Sequence, residues 1–156
     1  MKLEGGCYCG KVRYEAEGEP MMAAQCHCRE CQYISGGAPN MFVAMPVTGF
    51  KYTASQPKQF TRSDLERAVT REFCPECGTH MVTKVPGLPA VVLKVGTFDD
   101  PALFNPQMAI YAVDKQTFHH VPDGMPASRW PTISRSPLPS TMMAEVEERA
   151  PSKPCM

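Results

Sequence analysis

The sequence has no long apolar run. Nothing in its 156 residues approaches the ~18 consecutive apolar positions of a membrane helix. It has no surplus of either charge, with 16 basic residues against 16 acidic ones and charged residues at 21%. That balance excludes a broad electrostatic grip on nucleic acid or on an anionic lipid surface. The segment starting Met1-Lys2-Leu3-Glu4-Gly5 lacks the apolar stretch of a secretory signal, so a cytoplasmic location is expected. Helical periodicity is scarce, limited to a turn or two after Cys28 and another near 101–104. Tryptophan occurs once, at Trp130, beside Pro131, where it is expected to anchor the chain end to a β core.

Cysteine, by contrast, is abundant: eight residues, which a reducing compartment turns from disulfides toward metal or thiol chemistry. Short alternating stretches rich in β-branched and aromatic residues predict strands at 11–17, 40–45, 68–73, 80–85, 90–95 and 108–113. Prolines fall in the gaps between them, where a missing N–H costs least. The fold class expected is therefore mainly β, a single domain over 1–135 with few short helices. Residues 136–156 read as a Pro-rich, acidic and mobile C-terminal tail, with a short helix over 141–150 as an option.

The cysteines sort into two groups. Cys74-Pro75-Glu76-Cys77-Gly78 is a zinc-knuckle sequence, in which a tight turn aims two sulfurs at one point and the glycine lets backbone N–H groups face them. Cys7-Tyr8-Cys9, followed by Gly10, is the obvious second pair, with both sulfurs on one face if the segment is an extended strand. Cys7, Cys9, Cys74 and Cys77 then make a closed, structural four-cysteine site. A redox-active Cys-x-x-Cys is the competing reading. Cys26-His27-Cys28-Arg29-Glu30-Cys31 supplies three sulfurs within six residues. Three protein ligands with an open fourth position are the pattern of a catalytic zinc. His80 is a rival fourth ligand that would close the site, and Cys155 in the tail makes a poor one. Three thiolates weaken Zn²⁺ as a Lewis acid, yet a coordinating thiol still loses its proton, so the chemistry points toward sulfur more than toward hydrolysis.

Gly5-Gly6-Cys7-Tyr8-Cys9-Gly10, then Cys26-His27-Cys28-Arg29-Glu30-Cys31-Gln32 with Ser35-Gly36, then Phe73-Cys74-Pro75-Glu76-Cys77-Gly78-Thr79, closely resemble the glutathione-dependent formaldehyde-activating enzyme (GFA)/centromere protein V family. These motifs span residues 5–79, and Asp123-Gly124-Met125-Pro126 resembles the family's late Asp-Gly-x-Pro. The resemblance implies a β-tent fold with two Zn²⁺ sites: Cys7, Cys9, Cys74 and Cys77 structural, Cys26, Cys28 and Cys31 catalytic. It also implies a carbon–sulfur lyase that condenses a glutathione-like thiol with formaldehyde or another small aldehyde. Small-molecule thiol and aldehyde are thus the expected partners, with no nucleic acid and no membrane. A non-enzymatic zinc-stabilised binding or chaperone-like module is the alternative from the same fold, and a redox switch at Cys26, Cys28 and Cys31 is a third.

Around these motifs, Arg29, Lys51, Arg62 and Arg71 are available to a substrate carboxylate, each also readable as a solvated surface charge. Gly36-Gly37-Ala38-Pro39 reads as a site wall or as a helix end and turn. Gln32 reads as a donor to a ligand or as helix surface. His27 reads as a group behind the metal or at the surface, and His119-His120 as a surface pair.

Overall fold

The computed structural model describes residues 1–129. Ten strands and one α-helix form two sheets: β1 (Lys2–Gly6), β2 (Arg13–Glu17), β3 (Met22–Cys26), α1 (Arg29–Ile34), β4 (Asn40–Pro46), β5 (Phe50–Ala54), β6 (Lys58–Thr61), β7 (Thr70–Phe73), β8 (His80–Lys84), β9 (Ala90–Lys94) and β10 (Met108–Ile110). The smaller sheet has the order β1-β2-β5, the larger β10-β3-β4-β9-β8-β7-β6. Every pairing is antiparallel except the β10–β3 edge. The mainly β expectation with few short helices is what the structure shows. The expected tail 136–156, the helix option at 141–150, Trp130 and Cys155 lie outside the described residues.

The pleat of the larger sheet separates two cores. On β4 and β9, Val43 faces Leu93 and Met45 faces Val91 across the ladder, and these four pack against Leu3, Tyr14 and Ala16 of the smaller sheet. Their neighbours one residue away, Phe42, Ala44, Ala90 and Val92, point to the opposite face and join Ala24, Cys26 and Ile110. Cys28 and Cys31, from the start of α1, pack on that second cluster. Each large aliphatic side chain fully removed from water contributes roughly 1.5–3 kcal/mol. One face is therefore committed to holding the sheets together, and the other carries Cys26, Cys28 and Cys31.

Two contacts join the sheets with particular force. Gly5 meets Phe98 in an isolated bridge, so close that a Cβ there would lie 2.3 Å from the Thr97 carbonyl and 2.5 Å from Tyr14 Oη. Tyr14 Oη donates to Thr97 Oγ1 at 2.7 Å, which itself donates to the Lys94 carbonyl at 2.7 Å, fixing the end of β9. Farther along, Glu72 is 1% exposed and accepts from Tyr52 Oη of the smaller sheet, Gln59 Nε2 and Lys84 Nζ, each at 2.7 Å. Burial pushes its carboxyl up, but the bonds from Lys84, Tyr52 and Gln59 outweigh it and hold the group below the usual carboxylate range.

A depressed folded-state value means that Glu72 stabilises the fold above the unfolded-state value of about 4.3, and that this contribution is lost as pH falls through the lower folded-state value. Glu72→Gln is expected to cost about 1.5–3 kcal/mol at pH 7. The difference from wild type should shrink in denaturation curves recorded below about pH 4. A constant difference across that range would refute the ionised network.

Candidate metal centre and the adjoining cleft

The four-cysteine set is built from two matching turns. Cys7, Cys9, Cys74 and Cys77 bring their sulfurs within 4.8 Å of one another, with Cys7–Cys9 at 3.5 Å and Cys9–Cys74 at 3.7 Å. Gly10 (φ 76°) donates its N–H to the Cys7 carbonyl, and Gly78 (φ 72°) donates to the Cys74 carbonyl. Both positions need the left-handed backbone that glycine adopts without penalty. Cys7 and Cys9 are not on a strand, contrary to the sequence reading: β1 ends at Gly6, and the turn closed by Gly10 makes the two sulfurs converge. Val12 N donates to Cys7 Sγ at 3.2 Å. Thr79 bridges the two turns, its Oγ1 accepting from Tyr8 N and lying 3.2 Å from Cys77 Sγ. The Thr79 hydroxyl and backbone, with Cys9, pull the Cys77 thiol down to about 5. Cys7 and Cys74 are buried, Cys9 and Cys77 exposed.

The second set sits where β3 becomes α1. Cys26 ends the strand, Cys28 caps the helix by accepting from Cys31 N at 3.4 Å, and Cys31 lies in the first turn. Their three sulfurs also lie within 4.8 Å of one another, and no fourth histidine, cysteine or carboxylate joins them among the described residues. Hydrogen bonds from Cys26 and Cys31, joined by helix N–H groups, draw the Cys28 thiol down to about 3, while Cys26 is driven up by the same partnership and by burial. Sulfur sets of four and three suit a soft divalent metal. His80, the rival fourth ligand, is not part of this cluster, and its Nε2 lies 3.0 Å from the Val82 carbonyl and 3.1 Å from Thr83 Oγ1.

Several residues around this set depart from their sequence readings. His119 is 5% exposed, so it is not half of a surface pair. Its Nε2 donates to the Gly37 carbonyl at 2.7 Å, leaving Nδ1 to accept from Gln116 N and from His27 Nδ1 at 3.0 Å. His27 is fully buried, and burial, then the neighbouring His119, holds its imidazole below the usual value and so neutral. Gln32 is neither helix surface nor a free donor: it is 3% exposed, and its amide donates to the carbonyls of His27 (2.7 Å) and Asp114 (2.9 Å). Together these groups tie the cysteine loop to the segment after β10. Gly36 (φ 70°) and Gly37 (φ 99°) end α1, with Gly37 N bonded to the Gln32 carbonyl, while Pro39 lines a cleft.

That cleft, about 340 Å³, is lined by Ile34, Ser35, Pro39, Asn40, Met41, His80, Lys94, Gly96 and Thr97. Of the four cations proposed from sequence, none lines it: Lys51 pairs with Glu15, Arg62 with Asp64, and Arg29 bonds Gln32 and stacks on Tyr33. Arg71 is largely buried instead of solvated and ties β7 to α1 through Glu30 at 2.9 Å. Lys94, which the sequence reading does not include among the cations, ends an apolar strand, Ala90-Val91-Val92-Leu93-Lys94. The signal was the two-residue period, which puts Lys94 on the face of Val92 and not on the solvent side. Burial pulls its ammonium down to about 8 against the favourable charge of Cys31 and Cys26.

Comparison with known families matches residues 2–114 to "Glutathione-dependent formaldehyde-activating enzyme". The chain belongs to this family. Its match ends at Asp114, so it takes in both cysteine sets and Lys94 but stops short of His119. Among curated proteins, none matches the chain. A crystal structure of a Rhodobacter sphaeroides protein, a Northeast Structural Genomics target, superposes with a TM-score of 0.50 at 17% identity. It covers 67% of this chain and 92% of its own, and it shows a shared fold alone.

As a member of this family with two sulfur sets, the protein is expected to take up two equivalents of a soft divalent metal. Cys74→Ser should release one equivalent and lower the melting temperature sharply, because closing the four-sulfur site contributes folding free energy. Cys28→Ser should release one equivalent with little change in melting temperature. Elemental analysis with calorimetry checks both, and an unchanged melting temperature with both metals retained in Cys74→Ser would overturn the structural role.

Proposed function

We propose that the protein is a carbon–sulfur lyase of the cytoplasm that joins a glutathione-like thiol to a small aldehyde such as formaldehyde. Cys26, Cys28 and Cys31 would hold a catalytic Zn²⁺, and Cys7, Cys9, Cys74 and Cys77 a structural one. The observation that carries this reading is the three-sulfur set with no fourth protein donor among the described residues, beside an open cleft. The four-sulfur set has no such vacancy in its donor complement. That His80 is not part of the three-sulfur cluster supports an open fourth position over the closed site of a purely structural module.

Zinc held by the three cysteines supplies a bound thiol in its proton-free, nucleophilic form at neutral pH. The chain does the positioning. β3 and the first turn of α1 aim the three sulfurs, and Gln32 and the His27–His119 pair hold the loop between them rigid. In the net reaction the thiol adds across the aldehyde carbonyl. The new bond joins sulfur to carbon, the C=O π pair moves to oxygen, and the proton lost by sulfur ends there.

The metal-loaded protein should accelerate exchange between ¹³C-formaldehyde and its glutathione adduct at least tenfold over background, read by NMR exchange spectroscopy. Cys28→Ser should return the rate to background while the fold persists. A wild-type rate equal to background would overturn the enzyme reading in favour of a zinc-stabilised binding module.

A further inference from the structure

Tyr111 breaks the alternation of the strand it follows. On β10, Met108 and Ile110 stand opposite Ala24 and Cys26 of β3 and face the second core. An extended chain would turn the next side chain to the other side of the sheet. Tyr111 instead packs on the same cluster as Ile110, together with Cys28 and Cys31. The backbone shows how this is done. Tyr111 has φ 55° and ψ 39°, in the left-handed region, and the short 3-10 turn Ala112–Asp114 starts from it. That conformation presses the Cβ of an L-residue toward its own carbonyl oxygen, and a bulky side chain seldom adopts it. Among the described residues only Ser55, in the exposed connection between β5 and β6, is another non-glycine with a positive φ.

The corner is held from both sides. The Ile110 carbonyl accepts from His27 N at 3.0 Å, Ala112 N donates to the Ser128 carbonyl at 3.0 Å, and Asp114 N donates back to the Tyr111 carbonyl at 3.1 Å. The Asp114 carbonyl accepts in turn from Gln32 of α1 at 2.9 Å. The loop that carries the three sulfurs thus fixes the bend that brings Tyr111 to them. Backbone strain maintained by its surroundings marks places where one side chain has to reach one position. Core filling alone requires no such bend, because Met108 and Ile110 reach the cluster from regular strand. The side chain brought here is a phenol. Burial, then the charges of Cys28, Cys26 and Cys31, pushes it up to about 12, so its hydroxyl is a donor at neutral pH.

We propose that Tyr111 is a catalytic residue of the thiol–aldehyde reaction, its hydroxyl donating a hydrogen bond to the aldehyde oxygen while the carbon–sulfur bond forms. This deepens the thiol–aldehyde reading and rests on it. As the sulfur electron pair joins the carbon, the C=O π pair moves to oxygen, and the charge collecting there is stabilised by a donor already in place. Three thiolates are acceptors and cannot serve as that donor. The phenol serves without being consumed: it keeps its own proton, and the proton lost by sulfur ends on the new alcohol oxygen.

Two measurements on the metal-loaded full chain, wild type against Tyr111→Phe, test this. In exchange spectroscopy with ¹³C-formaldehyde and glutathione, the variant should be at least tenfold slower, with metal content and melting temperature unchanged. Calorimetric titration then compares thioacetate, whose sulfur-bearing carbon carries an oxygen, with ethanethiol, which lacks that oxygen. Tyr111→Phe should bind thioacetate at least tenfold more weakly than wild type does, and ethanethiol equally well. A variant that exchanges at the wild-type rate, or that keeps its affinity for thioacetate, overturns the catalytic role. So do equal losses toward thioacetate and ethanethiol, or a loss of metal, which would make Tyr111 a packing residue of the three-sulfur set. Wild type that exchanges at the background rate overturns the thiol–aldehyde reading itself, and the role of Tyr111 with it.

Discussion

The two-residue period of the larger sheet is the constraint on which the rest depends. Because side chains alternate across β4 and β9, Val43, Met45, Val91 and Leu93 must face the smaller sheet if Phe42, Ala44, Val92 and Lys94 face the cysteines. A slip of one residue would exchange the two sets, exposing the inter-sheet core and burying Lys94 within it. The apolar core therefore fixes the register, and the register fixes which face carries Cys26, Cys28 and Cys31. The inter-sheet core and the three-sulfur set share the same strands but occupy opposite sides of them.

The two sulfur sets divide along the same line. The four-sulfur set ties the start of the chain to its middle through paired turns, and half of its cysteines are at the surface. Its geometry comes from local backbone, Gly10 and Gly78 above all. The three-sulfur set depends instead on distant chain: His119 and Asp114, far along in sequence, hold the loop around His27 and Gln32. Local turns suit a closed clamp, whereas an open site needs walls brought from elsewhere.

Legibility followed the same division. Both cysteine groupings, and the helix beginning at the second, could be read because each pair or triplet lies within a few residues of sequence. Strands with alternating apolar residues, such as β4 and β9, were visible for the same reason. β6 was not, since all four of its residues are exposed and no alternation marks it. β1 and β3 were hidden by Gly5 and Gly6 and by the small residues Ala23 and Ala24. The burial of His119 depends on a partner 92 residues away, and nothing local to either histidine records it. Lys94 is the instructive case: its period was in the sequence, but a terminal lysine on an apolar strand is ordinarily turned to water, and the packing of α1 over that face decides otherwise.

The parallel pairing of β10 with β3 has a consequence for biosynthesis. The four-sulfur clamp has all its ligands once residue 77 has been added, whereas β10 and His119, which hold the three-sulfur loop, follow about 30–40 residues later in N-to-C order. A nascent chain can therefore close its clamp while Cys26, Cys28 and Cys31 are still unguarded. The interval between those two events is when the three thiols are most open to oxidation or to capture of the wrong ion.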